Sequence, residues 1–137
     1  MNKKLKTRDQ KRAEIVFKHI QEILDLSKTE ECQGIKQKYG SLVISAPTLI
    51  RTAGLMQTLA FYEAKNDEHH KILLKNLYNE LKELKIIASD AKELNNYIRS
   101  ECGLIEYMRL TKEILSIFQW HRRFAQSVLK VKLGEGE

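Results

Sequence analysis

A chain of 137 residues suits one compact domain and leaves little room for a second core. With 42% hydrophobic and 31% charged residues, and no apolar run near the ~20 residues of a membrane-spanning helix, it reads as neither disordered nor membrane-embedded. The net charge of +6 favours polyanionic partners and is unevenly placed: residues 1–18 hold seven basic against two acidic groups, 36–65 four against one and 107–137 six against three.

The stretch Met1-Asn2-Lys3-Lys4-Leu5-Lys6 starts like a signal peptide, but Arg8, Asp9, Lys11 and Arg12 stand where the apolar segment belongs. Residues 1–6 are therefore expected to form a flexible basic arm on a cytoplasmic protein. A helix follows from about Thr7 to Leu26, with Ala13, Val16, Phe17, Ile20, Ile23 and Leu24 on one stripe. A second starts at Glu31 or Ile35 and is expected to stop at Ser45, because Pro47 disfavours helical geometry before it; Pro47 then opens a short helix to Thr52. Gly54 separates that helix from one over Leu55 to Ala64. Asn66-Asp67-Glu68 starts another, carrying Leu73, Leu77, Leu81 and Leu84, and Ser89-Asp90 caps a segment with Leu94, Tyr97 and Ile98. The last runs from Leu104 to Leu129 with Ile105, Met108, Leu115, Phe118, Phe124, Ala125 and Val128 inward, and 132–137 forms a flexible tail. The expected fold is all-α, a single-domain bundle of six to seven helices.

Catalytic patterns are missing. Cys32 and Cys102 are far apart and outside any C-x-x-C spacing, and the glycines form no phosphate-binding loop. His69-His70 are adjacent, so their side chains point about 100° apart on a helix and make a poor metal pair; no metal or cofactor is expected. His19 and His121 are isolated in sequence and are expected to pack or to face water, and Glu80 and Glu83, beside Lys82 and Lys85, read as salt-bridge lacing of a solvated face. A nuclease would want converging carboxylates and ranks last. Arg122-Arg123 beside Trp120 and Phe124 are more telling, since guanidinium groups bind phosphate bidentately while the aromatic pair anchors the stretch to the core.

The order Lys38-Tyr39-Gly40-Ser41-Leu42, Ala46-Pro47-Thr48-Leu49-Ile50 and Gly54-Leu55-x-Gln57-Thr58-Leu59-Ala60-Phe61 resembles the small helical subunit family of the type III-B CRISPR (Cmr) effector. Tyr107-x-x-Leu110-Thr111-x-Glu113 and Trp120-His121-Arg122-Arg123-Phe124-Ala125 are similar to its second signature, with Ala53 where the family has Asn and His121 where it has Leu. The resemblance spans about Arg8 to Leu129. It implies a non-catalytic subunit that stacks with copies of itself into a filament beside the crRNA-bearing backbone, contacts other Cmr subunits, and lines the groove for target RNA. Lys38, Arg51, Arg122 and Arg123 fall in the matching blocks as candidate RNA contacts, and Lys11, Arg12 and Lys130 join them on charge alone. The alternative is a helical adaptor without RNA contact, using apolar positions such as Leu5, Ile44 or Val131.

Overall fold

The first helix, α1 (Arg8–Leu26), begins at a capping box: Gln10 N–H donates to Thr7 Oγ1 (3.0 Å) and Thr7 N–H donates to Gln10 Oε1 (2.7 Å). The computed structural model describes residues 5–88 and 90–131, so most of the basic arm, the 132–137 tail and Ser89 lie outside the described residues. The helices that follow are α2 (Ile35–Ala53), α3 (Leu55–Lys65), α4 (Glu68–Glu83), a three-residue α5 (Leu94–Asn96) and α6 (Leu104–Ser127). The described residues contain no strand. α2 lies at the centre and touches each of the other long helices, packing most extensively on α6, which also covers α1; α3 and α4 pack on α2 and on each other.

Pro47 does not end a helix. α2 runs through it, and Pro47 is itself buried beside Val43, Ala46 and Ile50. An interior proline costs a hydrogen bond and crowds the preceding turn, about 3 kcal/mol. Burying Tyr39, Leu42, Val43 and Ile50 on the same helix contributes about 1.5–3 kcal/mol for each large side chain, and that outweighs the break. Gly54 does separate α2 from α3, at φ +91°, where a β-carbon would be strained.

Three other expectations shift. The segment after α4 is no ordinary helix: α5 starts after Glu93, not at Ser89-Asp90, and continues into a wide turn over 97–101, closed by Cys102 N–H donating to the Tyr97 carbonyl (2.9 Å). On α6 the buried apolar side begins at Leu110 and comprises Ile114, Ile117, Phe118 and Ala125, while Ile105 and Met108 are each 63% exposed. On α1, Ile15 is buried and Phe17 half exposed, its ring edge-on to Phe124 at 5.3 Å.

Past α6 the chain folds back, and Val131 is buried against Gly40 of α2, with its N–H donating to the Ala125 carbonyl (3.0 Å). A β-carbon on Gly40 would run into the Val131 side chain. Gly40→Ala should therefore lower stability by about 1–2 kcal/mol despite the better helix propensity of alanine, as measured by urea denaturation. Pairing it with Val131→Ala should recover part of that loss.

Candidate nucleic-acid interface

Six of the seven candidate RNA contacts are exposed: Lys11, Lys38, Arg51, Arg122, Arg123 and Lys130. Arg12 is not. Its guanidinium spans Glu113 (Nη2 to Oε1, 3.0 Å) and Asp9 (Nη1 to Oδ1, 3.2 Å), so it is occupied in holding α1 on α6. Burial pushes the Glu113 carboxyl up, but the hydrogen bond and charge of Arg12, with Arg8, outweigh it and hold the group ionised. Trp120 adds a second clasp by donating Nε1–H to Asp9 (2.9 Å), which ties α6 to α1. Lys11 and Arg122-Arg123, at opposite ends of the sequence, thus belong to one pair of packed helices. Lys38 and Arg51 stand at opposite ends of α2, roughly 20 Å apart along its axis, and Lys38 has Glu31, Asp67 and Glu68 around it.

Beside the α1–α6 pair lies a groove of about 440 Å³ that the sequence did not reveal. Arg8, Arg12, Lys85, Arg109 and Lys112 line it against two acids, Glu106 and Glu113. Arg8 and Arg12 are occupied by Glu113, whereas Lys85, Arg109 and Lys112 make no ion pair among the described residues. Lys85 is aimed by the end of α4: it sits at φ +60° while Ile86 N–H donates to the Leu81 carbonyl (2.9 Å) and Lys85 N–H to the Lys82 carbonyl (3.0 Å). The available signal was a pair of short basic rows, Arg8 with Arg12 and Arg109 with Lys112, each spaced to share a helix face.

The helices also share a buried polar chain. Asn76 Nδ2–H donates to Tyr39 Oη (2.9 Å), Tyr39 Oη lies 3.4 Å from His121 Nδ1, His121 Nε2 is 2.9 Å from Glu80 Oε2, and His19 Nδ1 reaches the same oxygen at 2.6 Å. Glu80 and His121 are fully buried, which corrects the reading of Glu80 as surface lacing; His121, isolated in sequence, is a packed residue. Burial pushes Glu80 up, but the charges and hydrogen bonds of His121 and His19 outweigh it and lower its pKa. Burial likewise pushes His19 down, and Glu80, with Glu22 and Glu83, more than reverses this, so its pKa is raised. His121 faces this carboxylate because it lies one turn past Ile117 and Phe118 on the buried stripe of α6.

Of the apolar positions named for an adaptor, Leu5 is fully exposed, Ile44 is half-buried against the core, and Val131 is buried, so the last is inaccessible to a partner. Besides Leu5 and Phe17, the exposed large apolar residues among the described residues are Leu104, Ile105 and Met108 on α6, and Met56 and Phe61 on α3. No helix among the described residues is long and apolar enough to cross a membrane.

Residues 8–128 match the family described as CRISPR-associated protein (Cas_Cmr5). The "CRISPR system Cmr subunit Cmr5" of Thermus thermophilus is 35% identical over 98 residues, which cover 68% of this chain and 76% of the relative. The crystal structure of a CRISPR-associated Cmr5 family protein from the same organism superposes with a TM-score of 0.70 at 30% identity, over 91% of this chain and 99% of that one. The family match runs from the first residue of α1 to the end of α6 and takes in both signature stretches: the chain belongs to the CRISPR-associated Cmr5 family.

Proposed function

We propose that this protein is a non-catalytic structural subunit of a type III-B CRISPR (Cmr) effector complex, stacking with copies of itself and lying along the phosphate backbone of target RNA held by the crRNA in antiviral defence. The observation that carries the reading is the groove beside α1 and α6, whose cations Lys85, Arg109 and Lys112 are joined on α6 by exposed Arg122 and Arg123. Guide pairing supplies sequence recognition in such a complex, so a subunit of this kind needs only cations facing phosphates. Exposed Leu104, Ile105 and Met108 offer apolar area for stacking on a neighbour. The same patch favours the second reading, an adaptor that touches proteins alone.

Binding of RNA to the assembled complex should weaken steeply with salt. Arg109→Glu with Lys112→Glu should flatten that dependence by about 1.4 in the log–log slope, near 0.7 for each phosphate that is no longer neutralised. RNA crosslinking within the assembled particle decides between the readings: crosslinks on α6 support the RNA-lining subunit, and their absence from this chain supports the adaptor.

A further inference from the structure

The connection between α1 and α2 faces the start of α4 across a cavity of about 460 Å³, lined by Glu31, Cys32, Lys38, Asp67, Glu68 and His69. Adjacent histidines on a helix should diverge, yet the His69 and His70 ring centroids are only 4.3 Å apart. One ligand atom from each of Asp67, His69 and His70 lies within 4.8 Å of the others. His70 is 7% exposed, and its Nδ1 has no hydrogen-bond partner; Asp67 Oδ2 faces it at 3.6 Å, too far to bond. A buried ring nitrogen left in that state costs about 1–3 kcal/mol, and a bound cation would satisfy it.

We propose that Asp67, His69 and His70 form a site for a divalent transition-metal ion, zinc in the first place, and that Cys32, which lines the same cavity but stands outside this cluster, moves in as fourth ligand on binding. Nitrogen, sulfur and carboxylate donors suit zinc better than magnesium or calcium, which take oxygen ligands. Around a tetrahedral zinc with ~2.1 Å bonds, ligand atoms stand about 3.4 Å apart, so the trio must close by roughly 1 Å; rotation of Asp67, whose side chain is 59% exposed, supplies most of it. Lys38 and the positive end of α4, worth about half a charge, oppose a cation there, and the three carboxylates of Glu31, Asp67 and Glu68 outweigh them. Burial lowers the pKa of both imidazoles, which favours the neutral form that ligates. The metal would tie the loop after α1 to the head of α4, far along the sequence.

The test is a titration of the untagged full chain with Co²⁺ as a spectroscopic probe, followed by displacement with Zn²⁺. One equivalent should bind with the strong absorption of tetrahedral Co²⁺ and a thiolate charge-transfer band. His69→Ala and Asp67→Asn should each weaken Zn²⁺ binding by about tenfold or more at unchanged helicity. No binding by the unmodified chain, or binding unaffected by both substitutions, overturns the site. Should His69→Ala fail to fold, exposed Asp67→Asn decides alone. A charge-transfer band that persists in Cys32→Ser removes Cys32 as the fourth ligand.

Discussion

Glu80→Ala is expected to destabilise the protein by about 3 kcal/mol or more, lowering Tm by roughly ten degrees, as measured by denaturant and thermal unfolding. The carboxylate sits fully buried between two imidazoles, and its removal strips His19 Nδ1 and His121 Nε2 of their shared acceptor. Glu80→Gln retains one acceptor oxygen and should fall between the alanine variant and the natural chain. The pH dependence has a definite sign. The raised pKa of His19 contributes stability that is fully present below its ordinary value of about 6.5 and is lost as pH climbs through the folded-state value. The lowered pKa of Glu80 contributes stability that is present above about 4.5 and lost as pH falls through its folded-state value. Titratable neighbours on the same pair are Glu22 and Glu83, both of which favour charged His19. The stability gap between the natural chain and Glu80→Gln should therefore be widest between roughly pH 4.5 and 6.5 and narrow on the alkaline side.

Charge reversal at Arg122 and Arg123 should lower retention of target RNA in the reconstituted complex by about ten- to a hundredfold, with the far-ultraviolet dichroism unchanged. Both side chains are exposed, so the fold does not depend on them, while Trp120 and Phe124 on the same helix hold their backbone in place through Asp9 and Phe17. Arg12→Glu makes the informative contrast. It would place a third carboxylate beside Glu113 and Asp9 and should register as lost stability before lost RNA. Unchanged retention in the Arg122/Arg123 variant would remove those two residues from the interface.

Helical periodicity was enough to locate α1, α3, α4 and α6 to within a few residues, since amphipathic stripes such as Leu73-Leu77-Leu81 report burial directly. It misjudged Pro47, because the cost of an interior proline is local whereas the packing that outweighs it comes from other helices. Glu80 was misread for a related reason. Its charge suggested solvent, although its place three residues after Leu77 puts it on the buried stripe. The groove was invisible in sequence since its cations come from α1, the turn after α4, and α6, and only the packing of those elements collects them. His69 and His70 show the opposite failure: ideal helical angles kept apart two rings that the first turn of α4 brings together.

Val131 against Gly40 also bears on the order in which the chain can fold. The most extensive packing of α1 and α2 is against α6, and these are pairings between distant parts of the sequence. During synthesis, the faces of α1 and α2 that pack on α6, Tyr39 among them, stay uncovered until α6 emerges. Closure is then a single late event, opposed by loop entropy and completed when Val131 docks, so slowing translation before residue 104 should prolong exposure to chaperones without changing the final structure.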